Sequence, residues 1–468
     1  MLLGLPALSP LAALSRRVDP WRAYLVGSVA ELALGLLAVR GPVHAGMWGL
    51  DPLARLMVPV VLSVGLLTLL ASRRLPHGVA PDQERRYLFW LGAFTWSLLL
   101  LAVSQNLGLS WLAIELTTVT SGVLVALPRT RSAMEAAWKY VVLCSVGLLV
   151  AALGILILVA MGAHAGLPPL AALQFSALAR LHAPALRSLG QTASIFLAVG
   201  LGTKIGFAPL HTWLPDAHSE APSPVSGLLS GVLLALVLVC LWRTEAALGQ
   251  SVGQDFGRDL LIGFGLMSIA VATPFLLVQS DLKRLLAYSS VEQIGLMAVG
   301  LGIGTPLAVT AALVQLVVHA FVKSGLFFTA GDVLAEYGSK RLGRISGLMA
   351  TRPLLGWLWI LGVLTLAGLP PLPMFFSELG LVLAAFARYP WLGWVLVGLL
   401  GSLFAGLAHY LLTVALGQPS PRVRRVRLSG AHAAVASFAA ALPLGVLLPT
   451  WLGPLFLGII QLGRGVGG

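Results

Sequence analysis

The chain has 468 residues, 58% of them apolar and only 10% charged. A soluble domain carries about a quarter charged residues, so this composition cannot build a water-facing surface. With a mean hydropathy of +0.93 and repeated apolar runs of about 20 residues, it reads as an all-α polytopic membrane protein, which excludes a soluble enzyme, a disordered regulator and a nucleic-acid binder.

Apolar spans fall near 2–14, 23–40, 53–71, 87–104, 106–127, 134–161, 192–215, 223–242, 260–279, 285–304, 306–331, 354–387, 391–417 and 431–455. Such continuous runs predict about fourteen helices and not the weak alternation of a β-barrel. The first run has no basic residues before it and Arg16-Arg17 after it, the order of a membrane helix and not of a cleaved signal peptide. Two spans are interrupted by prolines at related places. Ala208-Pro209 and Leu214-Pro215 interrupt 192–215, and Pro370, Pro371 and Pro373 interrupt 354–387. Proline removes a backbone donor, so both helices are expected to break within the membrane. Two breaks at related places suggest two internal repeats. The expected organisation is 1–86 (three helices), 87–259 (first repeat), 260–417 (second, inverted repeat) and 418–468 (basic loop and last helix).

Lysine and arginine set the orientation. Nineteen of the 30 basic residues fall in odd-numbered loops, including Arg73, Arg74, Arg85, Arg86, Lys283, Arg284, Lys340, Arg341, Arg344, Arg422, Arg424, Arg425 and Arg427, against six in even-numbered loops. The positive-inside rule then places odd loops in the cytoplasm and both termini outside a cell inner membrane. The net charge of +13 is mostly this topology signal. Cys144 and Cys240 lie far apart in apolar runs and form no CxxC, so they read as small buried hydrophobes and not as metal, Fe–S or disulfide ligands.

Charges remain where lipid is expected: Glu31, Glu115, Glu135, Lys139, Lys204, Glu292, Lys323 and Glu378, with His319 nearby. A centrally placed charge costs at least about 2.5–3.5 kcal/mol, so such residues face the bundle interior and mark an ion or proton path. Glu115 and Lys204 have no local counter-ion, and Lys204 stands just before a proline break. They are expected to pair across helices. Glu378 follows the second break. His319 and Lys323 are four apart, on one helical face. Glu135 and Lys139 are also four apart, and a local ion pair accounts for them as well as a transport role does. Structural satisfaction accounts for Glu31 and for Glu292, the latter by Gln293. Desolvation drives buried carboxylates and lysines toward neutrality. Pairing holds their charged forms, and a small helix movement would free them to exchange protons.

Three motifs make the chain recognisable. GTKIGFAPLHTWLPDAHSEAPSPVS over 202–226, SDLKRLLAYSSVEQIG over 280–295 and HAFVKSGLFFTAG over 319–331 resemble signatures of the antiporter-like membrane subunits of complex I, Mrp antiporters and group 4 membrane-bound hydrogenases. AIELTT over 113–118, WKYVVLCS over 138–145 and HSEAPSP over 218–224 are most similar to the F-type membrane component of hydrogenase-4, as in formate hydrogenlyase assemblies. The resemblance covers essentially the whole chain. It implies fourteen helices and two inverted five-helix repeats, each with a broken helix. It also implies a proton-translocation set of Glu115, Lys139, Lys204, His211, His218, His319, Lys323 and Glu378. Many complex I members carry a lysine on the eighth helix, where this chain has SGVLLA over 230–235, ending in Ala235. His211, His218 or water would then fill the gap.

The resemblance implies a proton-translocating subunit driven by redox chemistry elsewhere, with no catalytic residue, cofactor or metal in this chain. Nickel–iron and Fe–S centres are expected in peripheral redox subunits, and other membrane subunits as partners. The alternatives are an Mrp-type sodium/proton antiporter subunit, complex I chain M, or a structural subunit that does not conduct.

Overall fold

The computed structural model describes residues 19–38, 40–74, 79–181, 184–419, 423–424, 426 and 428–464. The expected span 2–14, Arg16, Arg17, Arg422, Arg425 and Arg427 lie outside the described residues. In chain order the elements begin with α1 (Pro20–Ala38), a small antiparallel hairpin of β1 (His44–Ala45) and β2 (Trp48–Gly49), α2 (Pro52–Ala71), α3 (Glu84–Val103), α4 (Leu107–Ala126) and α5 (Arg131–His164). Two short helices, Pro169–Ala172 and Phe175–Arg180, lead to α6 (Arg187–Ile205) and α7 (Trp213–Glu220). Next come α8 (Ser223–Val252), with a π-turn at Leu229–Leu233, α9 (Gln254–Leu277), α10 (Leu282–Ile303) and α11 (Pro306–Tyr337). The chain continues through α12 (Pro353–Leu366), α13 (Pro373–Arg388), α14 (Pro390–Leu416), α15 (Gly430–Trp451) and α16 (Gly453–Gly463).

Twelve segments among the described residues are long and apolar enough to cross a membrane, α6 and α7 counting as one. Their starts follow from local chemistry. Asp51, Asn106, Thr130, Asp281 and Thr305 each accept a hydrogen bond from first-turn backbone N–H groups of α2, α4, α5, α10 and α11. Each satisfies donors that a helix cannot, a contribution of about 1 kcal/mol.

Burial sorts the helices. In α8, α10 and α11 the membrane window is 100%, 94% and 89% buried, against 22% in α1, 39% in α5 and 28% in α14. The first three form the middle of the bundle, and the others present apolar side chains outward. α5 and α6 approach closely because both carry glycines. A Cβ on Gly147 would meet Thr203 at 2.6 Å, and one on Gly200 would meet the Ala151 nitrogen at 2.4 Å. Small residues at such contacts let helix backbones pack without a hydrophobic driving force.

Both expected breaks are present. Gly206 (φ 84°) closes α6, and a 3-10 turn, Leu210–Thr212, leads into α7. The second break runs from Ala367 to Leu372 and contains Gly368 (φ 64°). Several boundaries differ from expectation, among them the end of α8, which runs on to Val252, past the expected end of that span at 242. The helical material around 192–215 reaches from Arg187 to Glu220, and the last span stops at Trp451 and restarts as α16. The turn residues there are themselves apolar, so hydropathy runs on through them.

Candidate buried charge line

The first cluster forms where α6 ends. Lys204 lies in the last turn of that helix and is fully buried. Its ammonium donates to Thr118 Oγ1 on α4 (2.8 Å) and to the Tyr140 hydroxyl on α5 (2.6 Å). It also lies 4.5 Å from the Tyr140 ring centroid, a cation–π contact. The Tyr140 hydroxyl in turn shares a 2.7 Å hydrogen bond with Ser121. Glu115, half-buried on α4, accepts from Ser145 on α5 at 2.7 Å, and its second oxygen has no partner among the described residues.

The expected Glu115–Lys204 ion pair is therefore replaced by a different arrangement. Among the described residues no nitrogen–oxygen contact within 4.0 Å joins them; Thr118, one turn along α4 from Glu115, takes the lysine. Nothing at the residue level announces Thr118, Tyr140 or Ser145 except their spacing from the charges. Thr118 is three residues after Glu115, on the same helical face.

The second cluster surrounds the other break. Lys323 on α11 is fully buried and donates to the Leu286 carbonyl (2.8 Å) and to Ser289 Oγ (2.5 Å), both on α10. Glu292, one turn beyond Ser289, is fully buried, with neither oxygen partnered among the described residues. Gln293 lies beside it, as expected, but makes its hydrogen bonds elsewhere. The Gln293 amide donates to Glu378 Oε1 (3.2 Å) and to the Leu366 carbonyl (3.4 Å) at the end of α12. Gln315 also donates to Glu378 Oε1 (3.3 Å) and to Gln293, and Ser377 donates to Gln315. Gly368 makes room for this carboxylate, since a Cβ there would stand 2.0 Å from Glu378 Oε2.

The histidines and the Ala235 position complete the set, His319 falling on α11 between Gln315 and Lys323 of the second cluster. His218 on α7 is fully buried and stacks on Phe327 of α11, with 5.3 Å between centroids. Neither of its ring nitrogens has a partner among the described residues, and the same is true of His319. His211, in the 3-10 turn, meets Tyr288 edge-on at 6.0 Å. Ala235 is fully buried. One helical turn earlier, Ser230 shares a 2.7 Å hydrogen bond with Ser290 on α10, so hydroxyls join α8 to α10 where the lysine of relatives is missing.

Lys139 stands apart. Its side chain is 37% exposed, bonded to Glu135 and 3.8 Å from Asp216. Asp216 also pairs with Arg284 (2.5 Å), and nearby Lys340 pairs with Glu220 (2.5 Å) and reaches Asp281 (3.7 Å). This is a surface network at one end of the bundle, and among the described residues Lys139 makes no ion pair with a member of the buried line. Lys283, which the sequence assigns to a loop, is buried at the start of α10 and donates to the Ala221 carbonyl.

Known proteins carry the same frame. Residues 104–405 match the family described as NADH:quinone oxidoreductase/Mrp antiporter, TM. A "hydrogenase-4 component F homolog" of Methylacidiphilum infernorum is 33% identical over 424 residues, 89% of this chain and 88% of the relative. NADH-quinone oxidoreductase subunit N of Desulforudis audaxviator is 30% identical, over 96% of this chain and 85% of its own length. A chain of the membrane-bound sulfane sulfur reductase, an archaeal respiratory membrane complex, superposes with a TM-score of 0.88 at 22% identity, covering 99% of this chain and 97% of that one.

Proposed function

The chain belongs to the NADH:quinone oxidoreductase/Mrp antiporter transmembrane family as an antiporter-like membrane subunit, and from that premise we propose that it conducts protons along its buried charge line. The observation that carries this reading is the state of the two central lysines. Lys204 and Lys323 are both fully buried, and each is held by neutral oxygens, with no carboxylate within 4.0 Å among the described residues. A hydroxyl can donate to a neutral amine or accept from an ammonium. Such a cradle tolerates both protonation states, whereas a tight ion pair would favour the charged one. Lys204, His218, His319, Lys323 and Glu378 are the carriers in this proposal, with Glu115 and His211 at its first-repeat end. Lys139 is left to the surface.

Conduction in this reading is driven from outside the chain. Its likeness to a hydrogenase-4 component F homolog supports a place in a hydrogenase-type complex. The nickel–iron and Fe–S centres would sit in peripheral partner subunits, and both termini would face outward from the inner membrane. The test uses the assembled complex in sealed vesicles. Lys204→Met and Lys323→Met should each lower protons moved per electron by about tenfold or more while redox turnover continues. Unchanged proton flux in both variants would overturn the reading in favour of a scaffold that does not conduct.

Sodium/proton exchange is the second reading, and one observation favours it. The second cluster holds two carboxylates, Glu292 and Glu378, for one lysine, together with the side-chain oxygens of Gln293, Gln315 and Ser377. Flux that requires sodium on the opposite side of the vesicle would favour this reading.

A further inference from the structure

Among the described residues, Glu245 is the buried carboxylate outside the two clusters that faces a surface pocket. It lies in the last turns of α8 and is 5% exposed; the Ser194 hydroxyl of α6 lies beside it, but neither carboxylate oxygen has a partner within hydrogen-bond distance among the described residues. Its carboxylate packs on Gly257 of α9, where a Cβ would stand 2.6 Å from Oε2. Both residues line a small, partly open pocket with room for about one water, bounded by the ends of α8, α10 and α16 and the starts of α9 and α11. Trp242, Gln254, Leu301 and Val309 contribute to its walls, with Arg258 and Arg464 also lining it. This is the end of the bundle opposite the Asp216–Lys340 network, because α8 runs from beside that network at Ser223 to the pocket at Val252.

We infer that Glu245 is a proton-exchange site on the outer face, through which the second cluster trades protons with the outer aqueous phase. The inference rests on the proton-conduction reading above. A buried carboxylate whose neighbouring donor, the Ser194 hydroxyl, falls outside hydrogen-bond distance must be met by solvent or carry a proton itself. The pocket supplies access. A proton from a hydronium at the mouth bonds to a Glu245 oxygen and leaves a water; the same O–H bond breaks when the proton moves on, and no electron is transferred. Arg258 and Arg464 bias the pocket toward protons, because two guanidiniums repel a metal cation that must enter whole, while a proton can hop between oxygens. Arg258 is only partly offset by Asp255, at 3.6 Å.

The position suits an exchange with Glu378. Leu301 and Val309 line the pocket on the same two helices that hold Gln293 and Gln315. The intervening helix rise is about 12 Å on α10 and about 9 Å on α11. Small residues and one leucine occupy part of that interval: Gly300 faces the end of Leu381, then Ala312 and the Ala308 carbonyl, and Gly380 faces Ala311, so a proton crossing here needs Leu381 to swing aside.

Three measurements on the assembled complex in vesicles test the inference. Glu245→Gln should lower proton translocation by about tenfold with redox turnover retained. Glu378→Gln serves as the comparison. Loss of flux in Glu378→Gln with normal flux in Glu245→Gln would overturn the outer site and leave the conduction reading intact. Normal flux in both would overturn the two together. Should Glu245→Gln not assemble, Gly257→Ala keeps the carboxylate but displaces it, and flux should still fall by about twofold or more. Dicyclohexylcarbodiimide, which modifies protonated carboxyls in apolar surroundings, should leave a mass adduct on the peptide carrying Glu245; an unmodified peptide would count against it. A membrane-impermeant maleimide should label Ala246→Cys from the outer side, over a low background because Cys144 and Cys240 are buried. Labelling from the cytoplasmic side alone would overturn the inference.

Discussion

Lys204 and Lys323 are alike in their cradles and unlike in their company. Lys204 sits on the broken helix itself, with its glutamate across on a continuous one; Lys323 sits on a continuous helix, and the glutamate, Glu378, is on the broken one. In the first cluster every hydrogen-bond partner of the two charges is a hydroxyl, Thr118 and Tyr140 for Lys204 and Ser145 for Glu115, with Ser121 behind Tyr140. In the second, Glu378 is gripped by two carboxamides. A hydroxyl can accept one proton while passing on another, whereas an amide N–H only donates. In the proposed conduction the first cluster would therefore relay, and the second would hold a carboxylate in one place. Exposure follows the same division. Glu115 is half-buried beside outward-facing Leu112, Val119, Val142 and Val146, while Glu292 and Glu378 are enclosed.

The largest expected effect comes from the glycines that shape the two breaks. Both have positive φ, so any side chain strains them by about 1–3 kcal/mol. The clashes differ. A Cβ on Gly206 would press on the end of Leu214 at 2.5 Å, a flexible group, while one on Gly368 would press on Glu378 Oε2 at 2.0 Å. Gly206→Ala should therefore destabilise the subunit with flux per assembled complex largely kept. Gly368→Ala should destabilise it and also stop conduction. Thermal unfolding in detergent together with proton flux separates the two outcomes, and equal flux loss in both variants would erase the distinction.

A smaller effect tests relay against grip. Tyr140→Phe keeps the ring beside Lys204 and removes one hydroxyl, so flux should fall by several-fold, with a stability cost of about 1 kcal/mol. Gln315→Leu removes a donor from Glu378 and an acceptor for Ser377. It should cost more, about 1–3 kcal/mol, because buried polar groups lose their partners, with a smaller loss of flux. Reversed rankings would mean that the amide cluster is the relay.

Much of this frame is legible in the sequence. Prolines mark both breaks, and charges within apolar spans mark Lys204, Lys323 and Glu378, because such groups are too costly to be incidental. The partners are not legible. A serine, threonine or tyrosine in an apolar helix carries no local signal, so charge alone matches Lys204 to Glu115 although Thr118 and Tyr140 hold it. Adjacency likewise offers Gln293 to Glu292, while its amide turns instead to Glu378. Glu245 is hidden because Arg243 and Thr244 precede it, which reads as the end of a span, yet α8 continues buried to Val252. Lys283 is hidden in the same way at a helix start.

The smallest effect concerns Lys139, and it decides where the line ends. Periodicity alone cannot separate Lys139 from Lys204, since both are lysines in apolar helices. The structure does separate them: Lys139 is bonded to Glu135, whose side chain is 57% exposed, and shares Asp216 with Arg284. Exposed pairs contribute little, because water screens them and holding long side chains costs entropy. Arg284 would keep Asp216 paired after the lysine is removed. Lys139→Gln should therefore change proton flux by less than about twofold and leave unfolding nearly unaltered. Flux in the assembled complex is the measurement. A loss as large as that of Lys204→Met would show that protons reach Lys204 through the Asp216 network, and the surface charges would then have to be counted as part of the path.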